Sequence, residues 1–237
     1  MCAGLASCVA VTSGSSSSGG VTKDTQPQTT SIGQQQPGQY SLGPVAFSGS
    51  FWNSCAPYTP ALEKQAGTML AGLALKWNGD GSLCDACILV KTAKGRSVVA
   101  RVVTTGETRG PNDIDLSQAA FDAINAGEYP RDMTWELVKC PHGGKVQYQF
   151  QTDANPYWTS LWVRNARLPL KTVEVKSANH PAFTALTRGT DGTLTDASGF
   201  GDGPFTLRVT ATDGQVLRDT FQQITPGAVV ESSGQFD

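Results

Sequence analysis

Asp153-Ala154-Asn155-Pro156-Tyr157-Trp158-Thr159-Ser160-Leu161-Trp162-Val163-Arg164-Asn165 passes from a polar turn straight into an apolar run. Asparagine and proline punctuate the chain here, one by bonding its own backbone and the other by fixing φ. Successive side chains of a strand point to opposite faces. Leu161 and Val163 therefore form one stripe, which reads as core, while Trp162 falls on the face it shares with Trp158. Tyr157 and Trp158, delivered by the turn to the start of the strand, read as exposed, with Trp162 as a candidate extension of the same aromatic surface. The competing assignment makes Trp158 an ordinary core tryptophan of a sandwich.

Alternation continues toward the C-terminus. Val146, Tyr148 and Phe150 are interleaved with polar residues, and Leu170 to Lys176, Phe205 to Thr210 and Val216 to Phe221 behave alike, divided by turns such as Asp191-Gly192 and Asp213-Gly214. Several short alternating strands without a helical period predict a β-sandwich over residues 144–237.

Toward the N-terminus the chain breaks at Pro141-His142-Gly143-Gly144. Residues 43–143 form a second β-rich unit, with strands at Ile88 to Val90, Ser97 to Val103 and Met133 to Lys139. One helix is predicted, capped by Asp115 or Ser117, with Leu116, Ala120, Phe121 and Ile124 on one face and Gly127 as its stop. Residues 1–42, rich in Ser, Gln and Gly with no aromatic before Tyr40, read as a leader and flexible linker.

The 18 basic and 20 acidic residues give a net charge of −2, and 8 basic against 9 acidic residues follow position 144. Neither half concentrates charge, so nucleic acid and acidic polymers are poor partners. No apolar run is long enough for a membrane-spanning helix. Leu5-Ala6-Ser7-Cys8 resembles a bacterial lipobox, which makes Cys8 a candidate for lipidation and the chain a candidate surface lipoprotein, although the residues before it are too few for a full signal peptide. Cys55, Cys84, Cys87 and Cys140 all lie in the first folded unit. In an exported protein they read as two structural disulfides with three possible connectivities. A zinc site at Cys84-Asp85-Ala86-Cys87 is the alternative, but His142 and His180 stand in no paired ligand motif, and no cofactor or metal is expected.

Ile114-Asp115-Leu116-Ser117 followed by Ala120-Phe121, then Trp135 to Pro141, then Tyr157-Trp158 with Val163-Arg164-Asn165 and Pro169, together resemble a microbial expansin from about Gly43 to the C-terminus. The resemblance implies a mainly β chain, a six-stranded double-psi β-barrel followed by an immunoglobulin-like carbohydrate-binding sandwich. It also implies a secreted, monomeric protein that loosens cellulose or related wall polysaccharide without hydrolysing it. Tyr157 and Trp158 match the family's binding aromatics. The usual third ring is displaced, since gap-free matching puts it near Asp191 or Gly192, with Phe183, Phe200 or Trp162 as candidate substitutes.

In the first unit Asp115 matches the family's retained acid. Hydrolysis with inversion requires a general acid and a general base on either side of the bond. Where a second Asp is usual, this chain reads Val102-Val103-Thr104-Thr105-Gly106-Glu107, and Ala46 or Phe47 stands near the family's first-strand threonine. No catalytic pair is therefore assigned. Asp115 with Thr104, Thr105, Arg109 and Asp113 forms a candidate glucan-holding groove. The alternatives are a polysaccharide-cleaving enzyme, endoglucanase-like or a lytic transglycosylase using His142, and a pure binding module with a degenerate barrel.

Overall fold

The computed structural model describes residues 29–47, 55–106 and 110–237. Six strands, β1 (Gln36–Leu42), β2 (Leu70–Ala74), β3 (Cys87–Thr92), β4 (Ser97–Gly106), β5 (Ile114–Leu116) and β6 (Asp132–Val138), close into a barrel in the order β1-β5-β2-β4-β3-β6. β1 lies parallel to β5 and β2 parallel to β4. Helices α1 (Pro60–Ala66), α2 (Leu75–Asn78) and α3 (Gln118–Ile124) sit among them.

Apart from Arg101, the run Val98 to Val103 is apolar on both faces because both faces are covered. Val98, Ala100 and Val102 point into the barrel core with Leu73, Ile88, Ile114, Leu116 and Trp135. On the other face Val99 packs against the cluster of Cys87, Leu89, Val138 and Cys140, and Val103 against Val45 and Leu70. Ser117 caps α3 by accepting from the Ala120 N–H, whereas Asp115 lies inside β5, and the helix ends at Ile124, before Gly127. The four cysteines pair as Cys55–Cys84 and Cys87–Cys140. Cys87, Cys140 and His142 cluster, but both thiols are spent in a disulfide, which leaves no thiolate for zinc.

The barrel starts earlier than the linker expected over residues 1–42 allows. β1 is a full barrel strand, Ile32 N–H donates to the Leu137 carbonyl at 2.9 Å, and Lys139 N–H donates to the Thr30 carbonyl at 2.9 Å. Composition hid this strand because Tyr40 is its one buried side chain, and backbone ladders do the rest. Cys8 and Arg109 lie outside the described residues.

The second unit is a sandwich. One sheet holds β10 (Thr184–Ala185), β9 (Leu170–Lys176), β13 (Phe205–Ala211) and β14 (Val216–Phe221); the other holds β11 (Thr187–Arg188), β12 (Leu194–Asp196), β8 (Thr159–Arg164), β7 (Gln147–Phe150) and β15 (Val229–Glu231). β13 alternates buried and half-buried residues, as a strand with one face in the core must. β8 is buried throughout. Its Leu161 and Val163 enter the sandwich core, while Trp162 and Arg164 face the barrel.

The two units meet around one carboxylate. Asp85, at φ 69° between the two disulfides, accepts from Arg164 Nη1 at 2.7 Å, Tyr58 OH at 2.7 Å and Arg101 Nη1 at 3.4 Å. Arg164 also donates through Nε to Gln149 Oε1 and through Nη2 to the Pro57 carbonyl, and its guanidinium lies 4.0 Å from the Tyr58 ring centre. Burial pushes the Asp85 carboxyl up, but the two guanidiniums and the Tyr58 hydroxyl outweigh it and hold it below the usual range. Asn165, at φ 58°, donates to the Gly143 and Lys145 carbonyls and so braces the connecting segment. Burial, reinforced by the Arg101 charge, drives the His142 imidazole down to about 4.

Two outcomes follow from this junction. Arg164→Met leaves Asp85 buried and undercompensated, so it is expected to cost about 3–5 kcal/mol of unfolding free energy in denaturant titration, against about 0.5 kcal/mol or less for the exposed Arg218→Met; equal effects would contradict the junction's role. His142 takes up its proton near pH 6.5 when unfolded but only near pH 4 when folded. Its contribution is therefore complete above pH 6.5 and fades as pH falls toward 4, by at most about 3 kcal/mol. His142→Asn is expected to flatten the fall in melting temperature between pH 6.5 and 4.5; an unaltered slope would refute the assignment.

Candidate functional site

Asp115 lies in a cross-strand row. It is in register with Ser41 on β1 and Gly72 on β2, and Gly72 is in register with Thr104 on β4. Ile114 and Leu116 enter the core, so the half-buried Asp115 faces outward. The chain leaving β1 passes close beside it, and a Cβ on Gly43 would come within 2.6 Å of the Asp115 Cβ. Ser41 was invisible to a reading that began the barrel at residue 43, yet it supplies the first-strand hydroxyl that Ala46 and Phe47 lack.

Three residues of the expected groove have partners within the barrel itself. Thr104 is buried, its methyl and that of Val45 filling the space beside Gly72. Thr105 exchanges hydrogen bonds with Asn78, donating to its carbonyl at 3.0 Å and accepting from its Nδ2 at 2.8 Å. Asn78 Oδ1 accepts from the Leu83 N–H, so this pair braces the disulfide segment. Asp113 Oδ1 accepts from the Gln39 N–H at 2.8 Å and ties the β4–β5 loop to β1. His142, needed by the transglycosylase alternative, sits at the domain junction with both ring nitrogens buried, lining a hollow with Arg101 and Met69.

The aromatic turn is built by Asn155. Its Oδ1 accepts from the Tyr157 N–H at 2.9 Å and the Trp158 N–H at 3.1 Å, and its own N–H donates to the Trp158 carbonyl at 2.8 Å. Tyr157 is left 77% exposed and Trp158 half-buried. Trp158 precedes β8, so strand alternation never linked it to Trp162. A second loop supports the turn from behind. Gly201 N–H donates to the Pro156 carbonyl at 2.8 Å, and Gly199, at φ +69°, lies where a Cβ would meet that oxygen at 2.2 Å, which excludes any other residue. Asn179 donates to the Ser198 and Gly199 carbonyls, and His180 Nε2 is bonded to Asp196.

Trp162 is a correction. It is 3% exposed, bonded through Nε1 to the Asp191 carbonyl at 3.3 Å, and shut between the sandwich and the barrel. The same contact accounts for the third ring. The Gly189–Gly192 turn presses on the barrel so closely that a Cβ on Gly192 would lie 2.8 Å from the Cys84 Cβ. A position that holds the domains together has no room for an exposed aromatic. Phe200 is in the core and does not substitute, while the half-buried Phe183 ring has the Arg208 guanidinium 4.1 Å from its centre.

Residues 143–237 match the family model described as the expansin-like protein middle domain. Among characterised proteins, the chain is 27% identical over 175 residues to Expansin-like protein 3 of Dictyostelium discoideum, covering 71% of this chain and 51% of that one. It is 25% identical over 154 residues to Expansin-YoaJ of Bacillus subtilis, with 60% of each covered. The chain thus spans about half the length of the first of these relatives. The apo crystal structure of Clavibacter michiganensis expansin superimposes with a TM-score of 0.70 at 20% identity, over 86% of this chain and 98% of that one. A mutant of that expansin in complex with cellohexaose gives 0.72 over 85% and 98%, again at 20% identity. The closed six-stranded barrel, joined to a sandwich that matches the expansin-like middle domain over residues 143–237, makes this chain similar to expansin-like proteins in both units.

Proposed function

We propose that this protein binds cellulose or a related neutral wall glucan on Tyr157 and Trp158 and loosens polysaccharide contacts without cutting the chain. The observation that carries the reading is the exposed aromatic pair on a turn held rigid by Asn155 and backed by Gly199. A glucan ring presents C–H groups on its faces, and an aromatic face buries them by dispersion and the hydrophobic effect. Pre-ordering the turn lowers the entropy cost of that contact. The cellohexaose complex of the C. michiganensis expansin supports the same ligand class.

Asp115 would contribute hydrogen bonds to sugar hydroxyls rather than paired acid–base chemistry. Its register neighbours among the described residues are Ser41 and Gly72, a hydroxyl and a bare backbone. A site that prefers a displaced glucan to a packed one shifts that equilibrium by its difference in affinity alone. An extracellular setting belongs to the proposal and is supported by the two disulfides, with Cys8 as a candidate tether.

Tyr157→Ala and Trp158→Ala are each expected to weaken retention on insoluble cellulose about tenfold, measured as depletion isotherms, with the melting temperature of the Tyr157 variant unchanged. Asp115→Asn is expected to leave retention intact and to reduce extension of wall strips under load. Unchanged cellulose retention in Trp158→Ala and Tyr157→Ala alike would sink the reading.

A further inference from the structure

The aromatic turn has a second face. Ala154, Asn155 and Pro156 form one wall of a hollow of about 160 Å³ at the end of the sandwich, closed on the other side by the Gly201–Gly203 loop and by Gln223, Ile224 and Pro226. Pro156 lines this hollow and Tyr157, the next residue, stands 77% exposed outside it. Adjacent Cα atoms are about 3.8 Å apart, so hollow and platform share a wall. That wall is fixed by the Gly201 N–H bond to the Pro156 carbonyl and by the Asn155 bonds to Tyr157 and Trp158.

We propose that this hollow is a subsite for one neutral sugar ring of a glucan that lies on Tyr157 and Trp158; the inference rests on the platform reading above and adds a site to it. Size is the first argument. At about 160 Å³ it falls below the ~300–1,000 Å³ of pockets for drug-sized ligands, which suits a single ring and excludes an oligosaccharide. Chemistry is the second. Pro156, Ile224 and Pro226 offer an apolar surface for the C–H face of a pyranose, while the Asp202 carboxylate and the Gln223 amide stand at the rim, exposed and bonded to nothing else among the described residues. A carboxylate accepts from hydroxyls and an amide both donates and accepts, which suits a polyol edge. The Asp202 charge repels a uronate, so the ring is not an acidic sugar. Gly201 at φ 77° and Gly203 at φ 97° bend the loop so that Asp202 reaches this rim.

The ring has two sources with the same chemistry, a single-sugar branch on the glucan or the terminal residue of the glucan itself. Calorimetric titration of the whole protein separates them, using a linear β-1,4-gluco-oligosaccharide and the same backbone bearing single xylose branches. The proteins compared are the wild type, the Asp202→Asn/Gln223→Ala double variant and Tyr157→Ala. The double variant is expected to lose about fivefold in affinity with its melting temperature unchanged, because both side chains are exposed. A loss confined to the branched ligand assigns the subsite to a branch, and an equal loss with both ligands assigns it to the chain end. Unchanged affinity for both ligands overturns the subsite. Unchanged binding of the linear ligand by Tyr157→Ala overturns the platform instead, so the two failures are told apart.

Discussion

Asp85 is a carboxylate with almost no water around it, held by Arg164 from the other domain at 2.7 Å. Charges removed from water are costly unless their partners and remaining hydrogen bonds are all in place. Here Tyr58 and Arg101 complete the carboxylate, while Gln149 and the Pro57 carbonyl complete the guanidinium. The arrangement demands one relative position of barrel and sandwich. Asp85 is itself placed by the Cys55–Cys84 and Cys87–Cys140 disulfides, and Arg164 by the β8 ladder. The groove side of the barrel and the aromatic turn are therefore parts of one body, as two sites along a single polymer chain would require.

The same junction occupies two positions that the proposed binding surface could otherwise have used. β8 faces the barrel with Trp162 and Arg164, and the turn at Asp191-Gly192 fits against Cys84. Trp162 resembles an extension of the aromatic surface when only the strand period is considered, and Asp191-Gly192 stands where the resemblance puts the third ring. Both are consumed in docking the domains. The compensation, on the proposed reading, lies at the opposite end of β8, where the hollow beyond Pro156 adds contacts that a third ring would otherwise give.

Much of the architecture was legible because it rests on local patterning. β9 and β14 fall where alternation put them, at Leu170–Lys176 and Val216–Phe221. β1 was not legible, since a strand with one buried side chain is held by backbone bonds that leave no trace in composition. α1 has a readable start in Thr59-Pro60, with the threonine hydroxyl accepting from Leu62 N–H, but Leu62 is its one buried side chain, so it leaves no apolar stripe in the sequence. Within the candidate site, the exposure of Tyr157 was legible from its turn, whereas the partners of Thr104 and Thr105 were not, because hydroxyls in a strand look alike whether they face a groove or brace a neighbour. The role of Arg164 was hidden for a different reason. A buried ion pair between residues 79 positions apart is a property of the fold, and no window of sequence contains both partners.

The proposal that non-covalent binding alone loosens the wall can be checked by creep of cellulose-rich wall strips under constant load, with reducing ends assayed in the same bath. Extension with no accompanying rise in reducing ends is expected. Release of reducing ends in step with the extension would contradict it.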